Sequence, residues 1–309
     1  QGKTFLPTAN RQIFIPAFAS ITSPVDFTNG AQGRISPIYQ YADVITWLRG
    51  RHNFRGGGEV PFVSNNGFNS FSVVPRANFG TGGVAISGIN ATALPGLGLN
   101  ETAARNLLID LSGSVASVLQ AFNSPGGANP VFLAGEGKQR TWRQREFSFF
   151  FKDEFKATSH LTLNLGVRYE FYGVPFEANG KTAGLVNGSA GLFGRSGTGF
   201  ANLFQPGKFN GTETNVILVG ANSPNENQNI YRSDRNNFAP AVGVSWELPW
   251  FVLRAGYSIG YERNSFRLLD IVAGDLPGLR TTRTFTSSSY LNLARLNLPL
   301  TPLGKPLET

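Results

Sequence analysis

The chain has 309 residues, a formal net charge of +8, and neither cysteine nor methionine. Without cysteine there are no disulfides and no thiolate metal centre. Without any run of about 18 consecutive apolar residues there is no membrane-spanning helix. Charged residues make up only 15% and aromatics 12%, beside 37 glycines; this suits a protein whose outer surface does not all face water, and it also suits a Gly-rich all-β protein in water. A nucleic-acid face needs clustered basic residues with aromatic platforms. The one mild cluster, Lys138 to Arg145, sits at the head of a strand, so no nucleic-acid partner is expected. Gln1 to Asn10 lacks the apolar segment of a signal peptide, and the chain is expected to be an internal piece of a longer protein.

Residues 1–37 are rich in Pro, Gly and Ser and are expected to be loop. Tyr39 to Arg49 alternates as a strand, with Tyr41, Ile45 and Trp47 on one parity; the alternation is imperfect, since Val44 and Leu48 fall on the polar side and Asp43 on the apolar one. Gly50-Arg51-His52 breaks it, and Asn53 to Ser64 returns. Gly56-Gly57-Gly58 inside this second strand predicts a bend or bulge; its spacing fits neither a P-loop nor a dinucleotide fingerprint. Phe68 to Phe79 alternates loosely and Gly80 to Gly98 is loop. Leu107, Leu111, Val115, Val118 and Phe122 recur at three- and four-residue spacing, which predicts one helix over Glu101 to Phe122, capped by Asn100 and interrupted near Gly113. Residues 123–140 form a Gly/Pro loop.

The clearest pattern follows. In Arg143 to Lys156, Phe147, Phe149, Phe151 and Phe155 share one parity, while Gln144, Glu146, Ser148, Lys152 and Glu154 share the other, with Phe150 as the exception. After the polar break Ala157-Thr158-Ser159-His160, the residues Leu161, Leu163, Leu165, Val167, Tyr169 and Phe171 point one way and Thr162, Asn164, Gly166, Arg168 and Glu170 the other. This is a hairpin of two long strands. Residues 173–235 are a long polar connection. A second hairpin turns at Pro249-Trp250, with Phe238, Val242, Val244, Trp246 and Leu248 before it and Phe251, Leu253, Ala255, Tyr257, Ile259 and Tyr261 after it. Arg254, Ser258 and Glu262 take its opposite face. Residues 264–309 hold one further strand candidate, Thr281 to Leu291.

Short turns at 50–52, 157–160 and 249–250 alternate with long connections at 65–139 and 173–235. Outer-membrane barrels have brief periplasmic turns and extended extracellular loops. The strands also approach the ~9–11 residues that cross a bilayer. The expected fold is therefore all-β, an antiparallel transmembrane barrel wall with long extracellular loops and one short loop helix. Phe147, Phe149, Phe151, Leu163, Leu165, Val167, Val244, Trp246, Leu253 and Tyr257 are the candidates to face lipid. Glu146, Lys152, Arg168, Glu170 and Arg254 are the candidates to face the lumen. The alternative is a soluble, secreted all-β binding or adhesion protein in which the same apolar faces pack as a sandwich core. A passive porin or adhesin barrel is a third option.

Catalytic chemistry finds little support. The only histidines, His52 and His160, lie in short turns. Asp153 and Glu154 face opposite sides of a strand, and no nucleophile-elbow sequence is present. The expectation is of no enzyme, no metal and no cofactor. Asp153 falls on the apolar parity, which in a barrel would place it near the headgroups.

The run Phe149 to Glu170, Phe-Phe-Phe-Lys-Asp-Glu-Phe-Lys-Ala-Thr-Ser-His-Leu-Thr-Leu-Asn-Leu-Gly-Val-Arg-Tyr-Glu, resembles the strand-turn-strand signature of TonB-dependent outer-membrane receptors, closest to the Oar-like subgroup. Three further pieces resemble the same family in the same order: Trp47 to Glu59, Arg235 to Gly243, and Leu253 to Tyr261. The likeness spans about residues 35–265. It implies a single barrel domain of about 22 strands, located in the bacterial outer membrane, plugged by an N-terminal domain and energised through TonB. The cargo would be a scarce solute such as a siderophore or an oligosaccharide, captured by the long loops. The sequence holds nothing like the plug and some six to eight strands only. The chain is thus expected to be one open arc of the wall, with residues 1–37 as loop, 38–264 as barrel strands and 265–309 as loop and strand. Its partners would be membrane lipid, the plug, TonB and the solute.

Overall fold

Where the sequence alternates, the backbone is extended. The computed structural model describes residues 14–21, 30–125, 130–185, 199–200, 208–209, 212–275 and 278–307; much of the loop expected at 1–37 lies outside these. The elements, in chain order, are β1 (Ile15–Ala17), β2 (Gln32–Ile35), β3 (Ile38–Arg49), β4 (His52–Asn69), β5 (Arg76–Phe79), α1 (Glu101–Ser112), β6 (Val115–Asn123), β7 (Lys138–Lys156) and β8 (Leu161–Tyr172). Then come β9 (Phe176–Glu177), β10 (Ala183–Leu185), β11 (Lys208–Phe209), β12 (Thr212–Glu213), β13 (Val216–Leu218), β14 (Phe238–Glu247), β15 (Val252–Ser258), α2 (Phe266–Val272) and β16 (Arg280–Thr286). They fall into two units: Ile35–Asn66 with Arg140–Gly274, and Gln1–Arg34 with Gly67–Gln139 and Asp275–Thr309.

The first unit is the wall. Its strands lie in the order β3, β4, β7, β8, β14, β15 within one sheet. The hairpins are antiparallel and run without slip, from Arg49↔His52 up to Ile38↔Val63 and from Lys156↔Thr162 up to Glu146↔Tyr172. β8 and β14 pair from Trp246↔Leu161 to Phe238↔Tyr169. The turn between β3 and β4 is two residues long, and Gly50 takes a φ of 59° that only glycine adopts without strain. With 18 and 19 residues, β4 and β7 each reach about 60 Å, twice the thickness of a bilayer core.

Gly56-Gly57-Gly58 produces no bulge. The β3–β4 register passes straight through it. The glycines instead clear space for the Phe149-Phe150-Phe151 run of β7. A Cβ on Gly57 would lie 2.8 Å from the Phe150 ring, and one on Gly58 would lie 2.7 Å from the Phe149 ring. Phe150, which breaks the polar parity of its strand, is thereby housed over Gly57.

The second unit carries a sheet of order β1, β5, β6, β16. Its core is Ala77, Val115, Val118, Phe122, Phe132, Leu296 and Leu300. The helix expected over 101–122 is real only as far as Ser112. Gly113 caps it in the left-handed region at φ 64°, with its N–H donating to the carbonyls of Asp110 and Ile109. From Val115 the chain is the buried strand β6, paired with both β5 and β16. Asn100 makes no side-chain cap. The strand expected at Thr281 to Leu291 is β16, shorter and shifted, and α2 is a second helix that the sequence pattern does not announce. Beside α1, the N–H groups of Ala19 and Ser20 donate to the Asp110 carboxylate at 2.8 and 2.7 Å, and the Ser20 hydroxyl donates as well. Burial works against ionisation of Asp110, but these three donors outweigh it and hold the carboxyl below its usual range.

Candidate functional site

The two parities of the wall strands meet different surroundings. On the apolar face Phe149 and Phe151 are each 53% exposed, and Leu165 and Val167 each 45%. Trp246, Leu253 and Tyr257 are exposed there too, while Phe147, Leu163 and Val244 are half-buried by neighbours on the same face. Phe147, for example, stacks on Phe171 with ring centroids 4.9 Å apart and touches Phe149 and Tyr169. Among the described residues these side chains find no second sheet of their own unit to pack against. Aromatics gather toward both strand ends. Trp47, Phe54, Phe155, Trp246 and Trp250 stand near the short turns; Tyr39, Tyr41, Phe62, Tyr169 and Phe238 stand toward the long connections.

On the opposite face the half nearer the long connections is covered: Glu146 and Ser148 are 9% exposed and Glu170 is 8%, while Lys152, Asn164, Arg168 and Arg254 stay exposed. A water-soluble sandwich does the contrary, hiding its apolar side and wetting its polar one. What covers the polar side is chain from its own unit. After β15 the backbone folds back, and α2 lays Phe266, Leu269 and Ala273 against Val63 of β4 and Trp142 of β7. Trp142 and Val63 share the parity of Glu146 and Gly57, so α2 stands over the polar face. Three polar contacts fix it there. The Trp142 Nε1–H donates to Asp270 at 3.2 Å, Arg140 donates to the Gly274 carbonyl at 3.2 Å, and Arg263 pairs with Glu146 at 3.1 Å.

A connected cluster lies below that cover. Arg168 Nε meets Glu170 at 2.9 Å and its Nη2 donates to Ser148 at 3.2 Å, while the Tyr172 hydroxyl donates to Glu170 at 3.1 Å. Cross-strand registers Glu146↔Tyr172 and Ser148↔Glu170 bring these groups side by side. Of the five sequence-predicted polar candidates, Glu146, Arg168 and Glu170 thus come together. Lys152 and Arg254 stand exposed on the same face nearer the short turns, apart from the cluster. Sequence reasoning missed Arg263, Tyr172, Trp142 and Asp270. The signal for Trp142 was there: Arg140 and Trp142 continue the parity of Gln144 and Glu146 back to the edge of the expected loop. Nothing local announces Arg263 and Asp270, which reach the face only because the chain doubles back. Nearby, the fully buried Glu177 accepts from the N–H groups of Thr141, Asn179 and Lys181 at 2.8–2.9 Å, which closes the loop after β9 around a satisfied charge.

His52 is not simply a solvated turn residue. It opens β4 on the apolar face, stacked between Phe155 at 4.4 Å and Phe54 at 5.2 Å, and its Nδ1 is 2.7 Å from Asp153. His160 does lie in a turn, 3.7 Å from an exposed Glu247. Among the described residues no three His, Cys, Asp or Glu side chains gather as a metal site, and no helix is long and apolar enough to cross a membrane.

Exposed apolar ribbons, polar side chains behind them and short turns on one side make a wall built for lipid. The outer membrane beta barrel domain family matches residues 3–307. The chain belongs to that family. No curated protein and no solved structure gives a significant match. The barrel domain places the protein in the outer membrane, and its wall, which no described strand extends beyond β3 or β15, is a partial arc.

Proposed function

We propose that this arc belongs to a TonB-dependent receptor of the Oar-like kind, which imports a scarce solute across the outer membrane without making or breaking a bond. The apolar face meets hydrocarbon and the polar face borders the lumen. Short turns lie on the periplasmic side and long connections outside. The observation that carries this is the exposed apolar face of the wall, with α2 folded over the half of the polar face nearer the long connections. An inward-folded helix pinned by Arg263–Glu146 narrows the passage at its outer end. That suits a gated, energised importer better than an open pore. Membrane lipid, a plug and TonB are the partners, and the solute is a siderophore, an oligosaccharide or a molecule of similar size.

The test is electrical and biochemical, on the full-length protein. Inserted in a planar bilayer, a plugged receptor holds the membrane at baseline conductance, and the periplasmic domain of TonB captures it from detergent. Steady ohmic channels on insertion, together with no capture by TonB, would identify a passive porin and overturn the proposal.

A further inference from the structure

Two acids stand on the apolar face of the wall, and they are treated differently. Asp153 has a neighbour to answer it: His52, on the adjacent strand, at 2.7 Å. Asp43 has none. It is exposed on the parity of Tyr41, Ile45 and Trp47, and its carboxylate accepts only the N–H of Val44, the next residue, at 2.8 Å. Toward β4 it looks across at Gly58, which has no side chain. The result is a dimple of about 450 Å³ floored by Gly56, Gly57 and Gly58 and rimmed by Asp43, Trp47, Phe54 and Phe151.

The depth makes this costly. Asp43 is six residues above Arg49, the last of its strand, so about 20 Å along the strand and roughly 15 Å in height at a tilt of about 40°. It therefore sits deeper in the apolar band than Asp153, which is only three residues from its turn. A bare carboxylate there is unfavourable. The other side of β3 is open: all twelve residues are exposed, and no described strand pairs with that edge. A membrane sheet tolerates no such edge.

Taking the apolar face as the lipid face, we propose that the strand completing the wall beside β3 carries a lysine or arginine that faces lipid at the level of Asp43 and closes an ion pair with it. The occupant of this edge is a further wall strand, not the β15 edge of a second copy. On that edge the apolar parity is Leu253, Ala255 and Tyr257, and Arg254 points to the other face, so a second copy brings no cation to Asp43.

The sign of a stability change decides it. The full-length protein is refolded into lipid vesicles and unfolded with urea, with Asp43→Asn and Asp43→Leu compared to wild type. With a cation opposite, either substitution strands that cation in hydrocarbon, and the unfolding constant rises at least fivefold. With no cation, removing the carboxylate relieves the membrane. A constant that falls, or changes by less than fivefold, for Asp43→Asn overturns the proposal. That variant is nearly isosteric and carries the test should Asp43→Leu not fold. Val167→Arg, measured alongside, reads the lipid-facing assignment by itself, so a failure of that premise is seen separately.

Discussion

Replacing Val167 by arginine puts the membrane assignment at risk directly. Val167 lies on the apolar face between Phe151 and Pro240 in the register of its neighbours, 45% exposed, with no acid opposite it. It stands five residues above Thr162, which pairs with Lys156 at the short turn. That is roughly 17 Å along the strand and about 13 Å in height at ~40° tilt, near the middle of a ~25 Å apolar band. An arginine at the midplane of a barrel's lipid face costs about 2–4 kcal/mol, or roughly thirty- to seven-hundredfold in the unfolding constant. The control is Asn164→Arg, on the opposite parity and facing Glu154, where the cost should stay within about 0.5 kcal/mol. Urea unfolding in lipid vesicles, followed by tryptophan fluorescence, measures both. Were this face in water, a half-exposed valine would accept arginine at almost no cost. Equal effects of the two substitutions, or a larger one at Asn164, would refute the assignment.

Three further outcomes follow from the packing. Trp142→Ala removes the side chain on which α2 rests and should cost about 3–5 kcal/mol, with limited proteolysis between β15 and α2 rising as the helix comes free; unchanged cleavage would mean α2 is held elsewhere. Gly57→Val sets a side chain against the Phe150 ring and the Asp43 carbonyl, 2.8 and 2.5 Å from its Cβ, and should lower stability by about 1–3 kcal/mol, partly restored by Phe150→Ala. The Asp110 carboxyl has a folded pKa below its unfolded one, so its contribution is full above the ordinary carboxylate range and is lost as pH falls through the folded value. Deuterium uptake at Ala19 and Ser20, corrected for intrinsic rate, should therefore increase between about pH 6 and pH 3, and Asp110→Asn should show the higher uptake at both.

The wall was legible because its strands answer to one rule. Alternation over Phe147 to Phe155 and Leu161 to Phe171 fixes two faces, and the structure keeps the pairing that this alternation demands. The same rule failed where tertiary context outranks local pattern. Val115, Val118 and Phe122 follow a helical spacing, but β6 is flanked by strands on both sides, with six of its nine residues buried and the rest half-buried, so spacing along it carried no directional information. The glycine triplet was legible as an anomaly and misjudged as to cause, since its reason is three phenylalanines on another strand, some ninety positions away. The polar cluster was half legible. Its wall members lie on one parity of β7 and β8, whereas Arg263 arrives through a reversal of the chain that no periodicity encodes.

That glycine triplet also governs assembly. The β4 and β7 ribbons are not joined by a turn, so nothing local tells them how to line up, and a slip by one residue would invert every side chain. Three notches in one ribbon and three rings in the other act as tongue and groove: only a single alignment lets Phe149, Phe150 and Phe151 lie down over Gly58, Gly57 and Gly56. Two hairpins far apart in the chain thus carry their own ruler.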